Sequence, residues 1–378
     1  HIGLSVVATD VGGGFSIGLG GLGFTMGISG SWMLFTGLLG AWLSAVFLIP
    51  KVSALGHKYK FFTFPQIFDH FYNAKVALLA GIISAIGYIG FTGSQVLAGA
   101  KLASATIKGL DLQTALIVMG LIAVVYTAIG GLKAVIYTDT IQWLVLIGGL
   151  VFIGIPIAYN AVGGYEAIKT TLAPEYLSLT NVKWHQILNW SITIIPIWFV
   201  GMTLYQRIYA SKGEKEAKKA WLIAGVFEWP IMAFMGVILG MLAKVAATKG
   251  MFDGITDATT MDSEMGLPIL LATILPIGLM GLMLSSYFSA ILSTADSCLM
   301  AASGNIVTDI IAKFSKKELS HKQELCLSQM VTLIVGFLAI VIASQMQNVL
   351  ELMLYSYAFM VSGLFVPVIG ALFWKKSH

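Results

Sequence analysis

The chain has 378 residues, of which 57% are hydrophobic and 11% are charged, and its formal net charge is +4. Soluble domains carry roughly 25% charged residues, so this composition excludes an ordinary soluble protein and indicates a polytopic, all-α membrane protein. The apolar runs are continuous rather than alternating, which excludes an outer-membrane barrel. We therefore expect the lipid bilayer, and no nucleic acid, as a partner.

Apolar runs of about 20 residues predict ten membrane spans. In chain order they cover residues 2–28, 31–52, 76–105, 112–129, 132–158, 187–207, 220–245, 270–310, 325–345 and 349–374. The two alternating sets of loops hold sixteen and six of the 22 lysines and arginines. The positive-inside rule predicts that the richer set and the chain start are cytoplasmic, in an inner or plasma membrane. Because His1 leads directly into an apolar run, we also expect a trimmed piece of a longer protein.

The first run contains an unusual stretch, residues 8–18, with the sequence ATDVGGGFSIG. A carboxylate such as Asp10 is costly in hydrocarbon unless it meets water, a cation or a donor. Each of the three glycines costs a helix about 1 kcal/mol relative to alanine. We predict a helix that breaks at mid-membrane, with freed carbonyls lining a polar cavity. The alternative is a glycine packing face with Asp10 in a structural hydrogen bond.

Ten spans divide into two sets of five, and five is odd, so the second set would be inverted relative to the first. We predict one transporter domain over residues 1–378, with inverted repeats at 1–158 and 187–374. The sixth span contains Pro196, which predicts a second helix break. Interrupted helices at matching positions of inverted halves indicate a transport site.

The eighth span carries small hydroxyl residues at helical spacing, among them Ser289, Ser293, Thr294 and Ser297. They share one helix face. Such a face either permits close helix packing or offers oxygens to a cation. Sodium is a hard ion that carbonyl and hydroxyl oxygens satisfy, so the broken first helix and this face together predict a sodium site.

Four stretches carry a family resemblance: residues 290–294 followed by Asp309, residues 130–142, Gln206-Arg207 and residues 8–18. Together they resemble the sodium/solute symporter family, which includes sodium/proline and sodium/sugar symporters. The resemblance covers about residues 5–374. It implies a five-plus-five inverted-repeat fold with a broken first helix.

The resemblance also implies a ligand set for one sodium ion. It consists of the carbonyls of Ala8, Val11 and Ala290 and the hydroxyls of Ser293 and Thr294. Asp10 falls beside that site, where sodium/proline members carry an acid. Asp139 matches an acid that helps to build a second sodium site in some relatives, although those relatives have a hydroxyl where this chain has Ala290. Asp10 and Asp139 are therefore candidates for a second sodium site or an ion path.

Glu228 lies well inside the seventh span, where an acid indicates a solute or ion contact. The structural alternative is a buried acid bonded to a neighbouring hydroxyl. Further candidate solute contacts are Gly13, Gln95 and the aromatic residues Phe15 and Trp198, although packing is the commoner role of an aromatic ring in a membrane helix.

The predicted function is sodium-coupled import of a small polar organic solute by alternating access. We expect a monomer, with sodium as coupling ion and no cofactor. One alternative is proton coupling through Asp10, Asp139 and Glu228, which the placement of all six histidines in loops or at ends weakens. A second alternative is a transport-derived membrane sensor. An enzyme is not expected, because we find no metal-cluster motif and no nucleophile–base pair.

Overall fold

The computed structural model describes residue 6 and residues 12–255, 257–314 and 321–374, with the backbone alone at 13–15, 130–143 and 321. These residues form helices and connecting turns, and no strand. The α-helices are α1 Gly13–Met26, α2 Trp32–Leu43, α3 Ile49–Tyr59, α4 Pro65–Phe71, α5 Ala74–Thr106, α6 Leu112–Gly149, α7 Ile155–Ala161, α8 Gly164–Thr171, α9 Trp184–Val200, α10 Met202–Ala210, α11 Glu214–Val226, α12 Ala233–Thr248, α13 Gly266–Ile274, α14 Ile277–Gly304, α15 Ala312–Phe314, α16 His321–Ser344 and α17 Val349–Phe373.

The described residues hold eight helical runs long and apolar enough to cross a membrane, and a ninth if the bent pair α9 and α10 is one span. The first of these runs, Ser16–Tyr59, has 44 residues. At 1.5 Å per residue it would be about 66 Å long, twice the thickness of the hydrocarbon core.

The chain reverses within that run, at the 3₁₀ turn Gly27–Ser31. A Cβ atom built on Gly30 would lie 2.8 Å from Leu22 Cβ, whereas eight residues of straight helix would separate these positions by about 12 Å. Gly27 has a φ of +70°, a conformation that glycine adopts without steric cost. With α1 and α2 counted as separate crossings, the described residues hold nine apolar runs able to cross a membrane, and a tenth if α9 and α10 form one span.

Helix α5 lies at the centre of the bundle, in contact with α6, α14, α16 and α17. Its buried face runs from Ala77 to Ala103 and includes the polar residues Ser94 and Gln95. Helices α1 and α12 approach closely through glycines: Gly240 faces the backbone of Gly20, and Gly23 faces the backbone of Val237. Small residues at such contacts allow helices to pack backbone against backbone in a membrane.

The sixth span is broken, but not at the predicted residue. Pro196 lies inside α9, and the break comes at Gly201, where the two halves meet at an angle of 41°. Side chains satisfy the backbone around the break, since Tyr205 donates to the Phe199 carbonyl at 2.7 Å and the Thr203 N–H donates to Tyr88 at 3.1 Å. Glycine and these external partners, rather than proline, set the position of this break.

Two further span boundaries differ from the prediction. The predicted eighth span, 270–310, is divided because Leu275 is extended and Pro276 precedes α14. The predicted spans 112–129 and 132–158 are joined within α6, which continues to Gly149. Apolar runs alone do not show where a helix begins or ends, and this is why one predicted span is divided and two others are joined.

Candidate sodium and solute site

Helix α14 presents the hydroxyl face that the sequence predicts. Ala290, Ser293 and Thr294 are all buried, and they lie within one helical turn. The Thr294 hydroxyl donates to the Ala290 carbonyl at 3.3 Å. One turn of this helix therefore brings a carbonyl and two hydroxyl groups together in the core of the bundle.

The start of α1 lies against this face. Gly12 has an extended backbone, with φ −48° and ψ −175°, and α1 begins at the next residue. A Cβ built on Gly12 would lie 2.5 Å from Thr294 Oγ1 and would also collide with Gln95 Oε1. Only a residue without a side chain fits at this close approach. Gly12 thus sits between α5 and α14, where the interrupted first helix was expected to meet the hydroxyl face.

Two oxygen atoms at this convergence have unused acceptor capacity. Among the described residues, Ser293 Oγ and Gln95 Oε1 are buried and have no hydrogen-bond partner. The Gln95 amide nitrogen is used, since it donates to Ser94 at 3.2 Å. Buried acceptors without donors are costly, and a desolvated cation would satisfy them. Neutral hydroxyl and carbonyl oxygens are the ligand types that suit a hard monovalent ion such as sodium.

Neighbouring helices hold α14 in place by polar contacts just beyond the hydroxyl face. Thr127 of α6 donates to the carboxylate of Asp296. Arg207 of α10 donates to the Thr203 carbonyl at 2.8 Å and to the Ser297 hydroxyl at 3.4 Å. Arg207 therefore connects the broken sixth span to the helix that carries Ser293 and Thr294.

Several predicted site residues lie wholly or partly outside the described part of the chain. Ala8, Asp10 and Val11 belong to residues 7–11, which the structure does not describe. Gly13 and Phe15 are placed only as backbone in the first turn of α1, and Asp139 only as backbone in α6. Their roles in the sodium site, the ion path and the solute site stay predictions.

Trp198 and Glu228 contact a different surface, the glycine face of α2. A Cβ on Gly40 would collide with the Trp198 ring, and a Cβ on Gly37 would collide with Glu228 Oε2. Both side chains are almost fully buried, and Trp198 also packs edge-on against Trp221 with centroids 6.4 Å apart. Of the three candidate solute contacts whose side chains the structure describes, Gln95 lies at Gly12 and Thr294, whereas Trp198 and Glu228 lie against α2.

A cavity of about 610 Å³ lies between α1, α9 and α17. Its wall includes Gly18 and Leu22 from α1, Asn189 from α9, and Leu354 and Tyr355 from α17. The cavity therefore lies along the later turns of α1, from Gly18 to Met26, and not at Gly12. A cavity of this volume suits a small organic molecule and places a polar opening beside the first helix.

Sequence reasoning missed Gly12 as a site residue, although Gly12 belongs to the stretch 8–18 that it singled out. It also used Lys101 only as a charge for topology. Lys101 is fully buried and pairs with Glu264, a residue of the segment before α13. A lysine inside an apolar run was a usable signal, because ionisable residues within spans are rare and functional by default.

Comparison with known proteins decides the family. Residues 1–378, the whole chain, match the family model described as "Sodium:solute symporter family". The chain belongs to the sodium:solute symporter family. Among relatives of this symporter, the high-affinity proline transporter PutP of Bacillus subtilis is 26% identical over 382 residues, which cover 99% of this chain and 79% of PutP.

Two other members show the breadth of the similarity. The sodium/proline symporter of Escherichia coli is 26% identical, over 99% of this chain and 75% of that protein. Sodium/glucose cotransporter 1 of Oryctolagus cuniculus is 25% identical, over 100% of this chain. The chain spans 62% of the length of that cotransporter.

Solved structures confirm the fold. A Na⁺-coupled sialic acid symporter, solved in a substrate-bound outward-open state, matches with a TM-score of 0.78 and 23% identity, over 99% of this chain and 78% of that chain. A nucleobase-cation-symport-1 family transporter in a closed conformation matches with a TM-score of 0.58 and 14% identity, over 94% and 74%. The predicted fold class, an all-α transporter core with broken helices, is confirmed. The boundaries of the two inverted repeats stay predictions.

Proposed function

We propose that the protein is a sodium-coupled symporter that imports a small polar organic solute by alternating access. One observation carries the proposal: the non-helical Gly12 meets Thr294 and Gln95, beside a Ser293 hydroxyl that has no partner among the described residues. This arrangement would offer a sodium ion the hydroxyls of α14, across from the non-helical backbone of Gly12. Family membership supports sodium as the coupling ion.

Sodium supplies enough free energy for accumulation. One sodium ion that enters down about 100 mV and a tenfold concentration gradient releases roughly 3.7 kcal/mol. At one-to-one coupling this would concentrate a neutral solute roughly 500-fold. Coupling requires that sodium and solute favour each other's binding, and such coupling is reciprocal. The start of α1 can provide it, because the same segment meets the hydroxyl face at Gly12 and borders the cavity at Gly18.

The solute class follows from two lines of support. The relatives named above are transporters of proline, glucose and sialic acid, all of them polar molecules of modest size. The 610 Å³ cavity presents amide and hydroxyl groups, among them Asn189 and Tyr355, that suit such molecules. We propose Gln95 and Glu228 as contacts that discriminate among solutes.

We further propose that the protein works as a monomer, with its basic loops in the cytoplasm. Basic residues cluster at one end of the bundle, for example Lys51, Lys58 and Lys60 around α3, and Lys212 and Lys215 around the start of α11. The positive-inside rule places that end in the cytoplasm. The opposite end, with the loop 251–265, would then face outward.

The test is uptake into proteoliposomes that contain the purified protein. A panel of radiolabelled proline, glucose, sialic acid and nucleobases is offered with an inward sodium gradient, with an equal potassium gradient, and without sodium at low external pH. The proposal expects that sodium, and neither potassium nor protons, drives accumulation of at least one polar solute. Accumulation that needs only the proton gradient would replace sodium by proton coupling.

A further inference from the structure

A buried ionic cluster joins three helices at the end of the bundle that we propose as outer. It consists of Lys101, Asp262 and Glu264, and we call it the Glu264 cluster. Lys101 Nζ lies 2.6 Å from Asp262 Oδ2 and 2.7 Å from Glu264 Oε2. The side chains of Lys101 and Glu264 are 0% and 5% exposed, whereas Asp262 is 34% exposed.

Glu264 also caps a helix that belongs to another part of the chain. Its Oε2 accepts from the Val349 N–H at 2.8 Å, and its Oε1 accepts from the Leu350 N–H at 3.0 Å. These are the first two residues of α17, whose own N-cap residue, Asn348, provides no side-chain cap. A carboxylate at a helix N-terminus satisfies free N–H groups and interacts favourably with the helix dipole. The outer end of α17 is therefore held by a residue from the loop before α13.

The loop presents Glu264 in a fixed position. Asp262 Oδ1 accepts from the Glu264 N–H at 3.0 Å and so caps the 3₁₀ turn Ser263–Met265. The other oxygen of Asp262 binds Lys101. Asp262 thus links the shape of the turn to the ammonium group of α5, and the turn cannot move without affecting that pair.

Helix α1 packs against the same side chain. A Cβ built on Gly21 would lie 2.9 Å from Glu264 Cγ, and one built on Gly18 would lie 3.0 Å from Leu350 Cβ. Glu264 and Leu350 both line the 610 Å³ cavity between α1, α9 and α17. The cluster therefore stands at the wall of this cavity, where the outer ends of α1, α5 and α17 meet.

We infer that Lys101 and Glu264 are positioning residues of the transport cycle, which hold the outer end of α17 against α1 and α5 and thereby limit opening of the cavity. This inference rests on the proposed symport function in one respect, namely that opening of the cavity is a step of the transport cycle. Glu264 is suited to the role because one side chain joins an ammonium group to two backbone N–H groups. Without Lys101, the buried carboxylate loses its counter-charge, and a buried ion without its partner is strongly destabilising.

The test measures how accessible the cavity is. Leu354, a half-buried residue of its wall, is replaced by cysteine in a C326A background, since Cys326 is exposed while Cys298 is buried. The initial rate of labelling by a membrane-impermeant maleimide is measured in liposomes with and without sodium. The inference expects E264Q and K101M each to raise this rate by about tenfold, and the double variant to add little, since both residues belong to one network.

Two controls separate a local opening from general loosening. The variant E214Q removes one partner of the exposed pair Lys218–Glu214 and should leave the labelling rate of L354C unchanged. A cysteine at the exposed Thr170 should label equally in all variants. E264D keeps the charge but is one methylene too short to reach both Lys101 and α17. If E264Q does not fold, E264D replaces it and should raise the labelling rate of L354C in the same way. K101R keeps the charge and should stay close to the parent.

Equal labelling of L354C in the parent, E264Q, E264D and K101M would overturn the inference. A parallel increase at T170C would also overturn it, because the effect would then be global. Failure of the proposed function has a different signature, since it would appear as absent uptake and as sodium-independent labelling in the parent itself. The comparison of labelling rates between parent and variants needs no solute, so it is independent of the uptake result.

Discussion

Gly12 and Thr294 lie in direct contact although 282 residues separate them in sequence: a Cβ on Gly12 would be 2.5 Å from Thr294 Oγ1. The contact joins the non-helical residue that precedes α1 to the hydroxyl face of α14. An irregular backbone within residues 8–18 and the hydroxyl face were predicted separately from sequence, and the structure brings Gly12 of that stretch against the face.

Substitution of Gly12 by alanine should abolish most sodium-dependent uptake. The added methyl group would collide with Thr294 and Gln95, so the start of α1 would have to move away from α14. We expect uptake to fall by more than about tenfold, a loss of at least 1.4 kcal/mol of coupled binding. Initial rates of solute uptake at a fixed sodium concentration measure this decrease.

Gly148→Ala is the matched control for this change. Gly148 also lies in a membrane helix, but nothing is within 4 Å of the position of its Cβ. If G12A and G148A transport equally well, the close approach at Gly12 has no role in the site.

Substitution of Glu228 by glutamine should change solute preference more than sodium affinity. Glu228 faces Gly37 of α2, whereas Gly12 meets Thr294 of α14. We expect the ranking of solutes to change while the sodium concentration for half-maximal uptake stays within about twofold of the parent, that is, within about 0.4 kcal/mol. Competition assays and sodium titrations measure the two quantities. The reverse pattern would place Glu228 on the ion path.

Trp198 should behave as a packing residue. It is 1% exposed and packs against Gly40 and Trp221. Truncation of a buried aromatic residue costs about 3–5 kcal/mol, so W198A should lower the thermal unfolding temperature in detergent markedly. W198F keeps most of the buried area and should retain both solute affinity and most of the stability. A large loss of solute affinity in a stable W198F protein would restore Trp198 to the solute site.

The sequence predicted those features that lie within one segment. The hydroxyl spacing of α14 is a local periodicity, and the position of Ser293 and Thr294 on one buried face follows from it. The glycines beside Asp10 likewise predict an irregular backbone, which Gly12 shows. Composition and apolar runs predicted the fold class and the ten spans.

Relations between distant segments could not be predicted in this way. Whether Trp198 faces a cavity or α2 depends on Gly40, which comes 158 residues earlier. The break of the sixth span lies at Gly201 because the hydroxyls of Tyr88 and Tyr205 bond to the backbone there. A prediction based on Pro196 alone could not include these contacts. The capping of α17 by Glu264 is another such relation.

The most direct test of the sodium site is the sodium dependence of solute uptake by S293A and T294A. Loss of one hydroxyl ligand should raise the sodium concentration for half-maximal uptake by about tenfold, equivalent to about 1.4 kcal/mol. Ser285→Ala is the control, since Ser285 is an exposed residue of the same helix whose hydroxyl donates to the Gly281 carbonyl at 2.7 Å. A shift in both variants and none in S285A is the predicted result. Unchanged sodium dependence in both S293A and T294A would contradict the assignment of the site.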